Sequence, residues 1–342
     1  MKTHNIFLGI IILAMLVLSA CREVTITTKV NSDGSFTRIM TVTGDSADVF
    51  NTDLPFPVDG TWSAVSSKDT ADSTKYMRIY TKSFRNIAEF NAELKNTTGD
   101  YKNLDREVSI TKKFRFFFSY LTFREVYKCV NPFRMLDYHD YLTEDDIRLY
   151  TGTMTPATAA DSTVKDKALD KAMNFLIESA TFEAETIVKN GIKQLGNPAL
   201  NSIDLSMYHD SINYLITKSD QDKTPDIIDS YQRWSGNEAF SLLHGIKPPL
   251  FDDFQKKIAV MDTILKAEGY TEDVEMPGLI TGTNSTMLKG NHVSWDFQVV
   301  NIMVNDFEMY AESRVINYWA FVLAGLVMLA LVVVLVVKGF GR

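Results

Sequence analysis

The side chains best suited to covalent or metal chemistry are few in this chain of 342 residues: two cysteines, Cys21 and Cys129, and five histidines. His139, His209, His244 and His292 are scattered, and no two stand at the spacing that puts both imidazoles on one helix face as metal ligands. The cysteines form no paired-ligand motif. There is no Gly-x-Ser-x-Gly elbow, no His-Glu-x-x-His pattern and no phosphate-cradling glycine loop. The acidic clusters Glu144-Asp145-Asp146 and Asp252-Asp253 open predicted helices, where carboxylates complement the positive end of the helix dipole. Asp33-Gly34 lacks the further carboxylates and the closing Glu of a calcium loop. Trp295 could stack on a sugar or a lipid headgroup, or anchor a core beneath a sheet. The sequence thus predicts no catalytic residue, no metal site and no cofactor. It points to binding rather than to an enzyme.

Cys21 carries the one covalent chemistry that the sequence signals. Lys2 and His4 form a polar head, Ile6 to Leu18 is almost wholly apolar, and the run closes on Leu18-Ser19-Ala20-Cys21. An apolar run of about 13 residues is too short to cross roughly 30 Å of hydrocarbon as a helix. Small residues just before a Cys resemble the bacterial lipobox. That resemblance implies loss of residues 1–20 as a signal peptide, diacylglycerol on the Cys21 sulfur and acylation of its new amine. Cys129 is then left without an intrachain partner, and its plainest role is that of a small buried hydrophobe.

The other end predicts a second anchor. From Val315 to Val337 no charge interrupts a run dominated by Leu, Val and Ala, which is long enough to span a bilayer with modest tilt. It is apolar on every face, unlike a buried soluble helix. Tyr318 and Trp319 stand where an interfacial aromatic belt lies, with Arg314 just outside. Lys338 and Arg342 follow on the short side expected to stay in the cytoplasm. Both signals give one topology, with 22–317 extracytoplasmic and the chain retained in the bacterial cytoplasmic (inner) membrane. Composition agrees: 23% charged residues is too many for a polytopic membrane protein, and 45% hydrophobic too many for disorder. A net charge of −8 argues against nucleic acid as a partner and against a polybasic grip on anionic lipid.

These anchors need a body between them. Val24 to Val30 and Phe36 to Val42 flank Asp33-Gly34 and predict a hairpin. Strands are expected at Tyr76 to Phe84 and Glu107 to Lys128, with a helix between them carrying Ile87, Phe90 and Leu94, capped by Asn86. Phe114, Phe116, Phe118 and Tyr120 share one parity. They predict either one face of a long central strand or an exposed aromatic surface for lipid or a partner. Between Pro132 and Gly269 helical spacing takes over. One stripe runs through Leu169, Met173, Leu176, Ala180 and Ile187, another through Leu205, Tyr208, Ile212 and Leu215, and a third through Phe251, Phe254, Ile258, Met261 and Leu265. Thr224-Pro225 is expected to open a further helix. Strand signals resume at Met276-Pro277-Gly278-Leu279-Ile280, His292 to Phe297 and Met309 to Val315.

The expected fold class is therefore α+β. A small sheet-and-helix domain is built from 21–128 and 271–314, an all-helical insertion covers 129–270, a transmembrane helix covers 315–337 and a tail covers 338–342. Cys21, the hairpin around Asp33-Gly34, Met276-Pro277-Gly278 and Gly290 to Phe297 with Trp295 resemble the LppM-like bacterial lipoproteins. The resemblance implies a compact α/β sandwich beside the membrane and binding of lipid or glycolipid, while the helical region departs from the pattern. The expected function is a doubly anchored binding module for lipid, glycan or an envelope protein. The alternatives are an adaptor docking a protein through the helical insertion and, behind it, an envelope hydrolase.

Overall fold

The computed structural model describes residues 22–68, 75–154, 162–218 and 226–340. The expected signal peptide, Cys21 and Thr224-Pro225 lie outside these residues.

β1 (Glu23–Val30) and β2 (Phe36–Gly44) form the predicted hairpin, in register from Glu23↔Thr43 to Val30↔Phe36. Gly34 supplies a φ of +92°, and the Asp33 carboxylate accepts from the amide and hydroxyl of Ser35, which closes the turn. β3 (Ser63–Lys68) is exposed at every position, an edge strand with no apolar alternation for sequence reasoning to find. β4 (Tyr76–Phe84) has its expected bounds. α1 (Ile87–Leu94) is capped by Asn86, which accepts from the Glu89 amide, and buries Phe90 and Leu94.

The long strand expected over 107–128 is instead a second hairpin, β5 (Arg106–Arg115) and β6 (Phe118–Tyr127). Its turn at Phe116-Phe117 holds none of the Gly, Asn or Asp residues that usually announce one, so the sequence concealed it. The turn also resets the side-chain parity. Phe114 pairs with Ser119 on the inner face, whereas Phe118 and Tyr120 face outward.

Helices follow. α2 (Glu144–Tyr150) begins at a capping box in which Thr143 and Asp146 satisfy each other's backbone amides. α3 (Ser162–Leu195) is the long spine, followed by α4 (His209–Lys218), α5 (Ile227–Ser235), capped by Asp226, and α6 (Asp252–Leu265). The buried stripe of α3 runs through Ala168, Ala172, Phe175, Ala180, Ala184 and Val188. Leu169 and Met173, expected in that stripe, are only partly buried beside it.

β7 (Tyr270–Glu275), β8 (Leu279–Thr283), β9 (Met287–Lys289), β10 (His292–Phe297) and β11 (Phe307–Ile316) complete the sheets. α7 (Tyr318–Phe340) starts after the single residue Asn317. Val315 and Ile316, expected in the apolar helix, thus finish β11 because each extends its pairing with β6. Tyr318–Val336 is long and apolar enough to cross a membrane, and only 6% of its most apolar window is buried against protein.

Both ends of the chain contribute to both sheets. The seven-stranded sheet has the order β3-β4-β2-β1-β7-β10-β9, and the four-stranded sheet β5-β6-β11-β8. The parallel β1–β7 pair and the antiparallel β6–β11 pair join chain segments separated by the helical region. Val24, Ile26, Met40, Val274, Trp295 and Phe297 meet Leu121, Phe123, Tyr127, Met309 and Ala311 in one core, which also takes in Ile147, Ala168, Phe175 and Ile264 from the helices. A second core forms among Phe133, Val188, Ile212, Tyr231, Phe240 and Phe254. The fold is α+β, as expected.

Candidate functional site

The tip of the β5–β6 hairpin meets the first turn of α7. Trp319 stacks on Phe114 at 6.0 Å and stands edge-on to Phe116 at 5.7 Å. Phe321 packs against Phe117 at 4.8 Å and Phe118 at 6.0 Å. Asn317 pins the junction. Its backbone amide donates to the Phe117 carbonyl (2.9 Å), its side-chain nitrogen to the Phe116 carbonyl (2.8 Å), and its Oδ1 accepts from the Ser119 hydroxyl (3.0 Å). These contacts leave much of the cluster open: Phe114 is 55% exposed, Phe116 44% and Trp319 54%. Exposed aromatics packed together at the start of an apolar helix form the belt that suits a membrane–water interface. Phe116 adds a second indication. Its φ of +23° lies where glycine is at ease and a side chain costs about 1–2 kcal/mol, yet an exposed aromatic ring stands there.

Beside this collar Phe118, Gly278, Leu279, Arg314, Ile316 and Tyr318 line a groove of about 280 Å³. The Arg314 guanidinium lies over the Phe118 ring at 4.8 Å. Gly278 is required where it stands: its φ is +85°, and a Cβ there would lie 2.4 Å from the Arg314 carbonyl oxygen. The Pro277-Gly278 pair, expected from the sequence within a strand segment, instead forms the loop that closes against β11.

The residue singled out for ligand contact lies elsewhere. Trp295 is 3% exposed, and its indole N–H donates to Asn284 Oδ1 at 3.1 Å. It is a core anchor with no face open for stacking, which corrects its reading as a possible ligand or partner contact. Cys129 is half-buried on a separate cleft of about 560 Å³, with Arg134, Tyr138, Phe175 and Asp306. Burial raises its thiol pKa, which lowers the thiolate fraction available for chemistry. Asp226, Asp229 and His244 bring ligand atoms within 4.8 Å of one another at the surface. Asp226 is already the cap of α5, and His244 Nε2 lies 2.9 Å from Asp229.

Two polar clusters are structural. Between the sheets, Arg38 on β2 reaches Glu125 on β6 (3.1 Å) and Glu272 on β7 (2.7 Å), and all three side chains are fully buried. Thr28 donates to Glu272 and Tyr127 to Glu125, while Arg106 donates to the Tyr127 and Tyr270 hydroxyls. Burial pushes Glu272 up to about 8, with Glu125 adding to the rise and Arg38, and more weakly Arg106, pulling down. In the helical region His209 places Nδ1 at 2.8 Å from Glu185 and Nε2 at 2.9 Å from Glu178. Both ring nitrogens face acceptors, so the geometry calls for the imidazolium. Burial opposes that charge, but the Glu185 and Glu178 hydrogen bonds outweigh it and raise the pKa.

No family model matches the sequence, and neither does any curated protein. Among solved structures, the NMR structure of the folded domain of LppM from Mycobacterium tuberculosis aligns over 87% of this chain and 91% of that chain, at 10% identity and a TM-score of 0.30. At that score the likeness carries no argument.

Proposed function

We propose that this chain is a membrane-anchored, extracytoplasmic, non-enzymatic binding module that works on lipid at the bilayer surface. The observation that carries the reading is the collar: the β5–β6 tip is locked by Asn317, Trp319 and Phe321 onto the first turn of a helix able to span a membrane. With α7 in a bilayer, Phe114, Phe116 and Phe117 sit at headgroup depth, where their exposure ceases to be a cost. The lipobox at Cys21 and the LppM-like pattern read from the sequence support the same address, with an acylated Cys21 as second anchor in a bacterial inner membrane. Of the expected ligands, lipid is favoured over glycan or an envelope protein because the exposed aromatic surface adjoins the apolar helix.

The test uses the full chain in phosphatidylcholine nanodiscs. Brominated lipids with shallow labels should quench Trp319, as judged against a Trp319→Phe control, and lipids should remain bound in native mass spectra after detergent extraction. Phe116→Ser with Phe117→Ser should weaken both signals. A tip that is quenched only by aqueous acrylamide, with no retained lipid, would show that the collar does not meet the bilayer.

A further inference from the structure

Strand register brings Arg314 on β11 beside Lys113 and Arg115 on β5, which stand far from it in the sequence. In the four-stranded sheet Lys113 pairs with Tyr120, Tyr120 with Arg314, and Arg314 with Leu279, so these four side chains form one row. The next row toward α7 holds Arg115, Phe118 and Ile316. Both rows lie on the outer face, because their β6 members alternate with the buried Ser119 and Leu121. Lys113 and Arg115 are exposed and Arg314 is half-buried. Among the described residues none of the three lies within ion-pair distance of a carboxylate, whereas Arg124, higher on the same face, is paired with Glu308. Glu312, the next outward residue on β11, accepts from the Thr281 hydroxyl at 2.9 Å.

From this geometry we infer that the outer face at the α7 end of the four-stranded sheet binds the phosphate-bearing headgroup of an anionic phospholipid. The site deepens the lipid-binding reading and rests on it. Arg314 supplies a planar donor fork for a phosphodiester, with Lys113 and Arg115 alongside as further positive charges. Phe118, Leu279 and Ile316 offer an apolar wall continuous with α7 for the adjoining acyl chain. Location selects the occupant: a groove at the foot of a spanning helix is reached first by lipid of the same leaflet. The overall charge of −8, which argued against a polybasic grip, conceals a local patch of the opposite sign. A cation near an anionic surface contributes at most about fivefold each in binding.

The experiment places the full chain in nanodiscs of equal phosphatidylglycerol and phosphatidylcholine and reads the ratio of the two lipids retained on the protein. Wild type should enrich phosphatidylglycerol at least fivefold. The combined Lys113→Gln, Arg115→Gln and Arg314→Gln variant should return to the bulk ratio, while Arg124→Gln keeps the enrichment. Enrichment that survives the triple substitution, or is absent from wild type, would overturn the site. If neutral lipid is still retained in that case, the headgroup site fails and the lipid-binding reading stands. If no lipid of either kind is retained and Trp319 stays unquenched, the reading itself has failed. Displacement of phosphatidylglycerol by soluble glycerol 1-phosphate would mark the site as one for free phosphate esters and would also overturn it.

Discussion

Arg38→Met isolates the charge network that joins the two sheets. Arg38 is the only group in ion-pair contact with Glu125 and Glu272 among the described residues, and none of the three has side-chain exposure. Its removal leaves two carboxylates facing each other with only the Tyr127 and Thr28 hydroxyls as donors. Breaking a buried pair this way costs about 3–5 kcal/mol, a large part of the 5–15 kcal/mol that ordinarily holds a domain together. The pH dependence has a definite sign. Glu272 has its folded pKa raised from 4.5 to about 8, so the stability it contributes is present below 4.5 and is lost as pH rises through about 8. Without Arg38 the Glu272 carboxyl favours the protonated form still more strongly, so the deficit relative to wild type should be largest near pH 8 and shrink on acidification. Thermal unfolding of the full chain in detergent, followed by near-UV circular dichroism across that range, reads both the size and the slope. Adding Glu125→Gln and Glu272→Met should recover much of the loss, since the uncompensated charge is gone. A deficit below about 1 kcal/mol at pH 8, or one that grows on acidification, would refute the account.

His209→Gln should remove a pH-dependent brace between α3 and α4. The raised pKa means its stabilisation is fully present below 6.5 and is lost as pH climbs through the higher folded value, so the exchange protection factors of α4, corrected for the intrinsic pH dependence of exchange, should fall over that rise in wild type but not in the variant. Partial solvent screening keeps the effect to about 1 kcal/mol. Gly278→Ala forces a side chain into a positive φ and against the Arg314 carbonyl, and should cost about 2 kcal/mol or more, read as a lower melting temperature with loosened β8–β11 exchange. Asn317→Ala removes the side-chain bonds to Ser119 and Phe116, and should raise exchange at 114–118 while leaving the rest of the sheet protected.

The β1–β2 hairpin and the helix caps were legible because their signals are local. Asp33-Gly34, Asn86 with Glu89, and Thr143 with Asp146 each carry the residues that their turn or cap demands. The collar was half legible. The aromatic density of 114–120 stands out, but a Phe-Phe turn gives no warning, so one strand is expected where two exist, and Phe114 is grouped with Phe118 and Tyr120 although it lies on the opposite face. The charge network does leave a signal in the sequence. Arg38 sits in Phe36-x-Arg38-x-Met40, Glu125 in Phe123-x-Glu125-x-Tyr127 and Glu272 in Tyr270-x-Glu272-x-Val274, each at the inward parity of its strand. A charge at a core position asks for a partner on another core strand. The cation row could not be read at all, since it depends on register between β5, β6 and β11, which no local pattern specifies.

The same register locates the two ends of the body. Arg22 is held by the Asp53 carbonyl at 2.8 Å and by Glu268 at 3.2 Å, beside the start of β1. β1 runs parallel to β7, and Tyr270 at the head of β7 touches Tyr127, whose partner in β11 is Phe307. β11 then runs ten residues to Ile316, about 30 Å at the usual rise per strand residue. Lys112 donates to the Ser32 carbonyl at 2.8 Å, which places the β1–β2 turn near the α7 end and the start of β1 at the opposite one. Arg22 therefore stands about 30 Å from the foot of α7, a distance that one further residue bearing a lipid cannot bridge. A body standing upright on α7 would lift that lipid clear of the surface. A lipid on Cys21 and α7 could share one bilayer only if the strands lie along it and α7 leaves the pinned Asn317 junction at a steep angle to β11. Spin labels at Thr43 and at Glu107, both beside the start of β1 or β5, should then show shallow membrane depth in the acylated protein and return to water in Cys21→Ser. Labels that are water-exposed in both forms would mean that only α7 holds the body to the membrane.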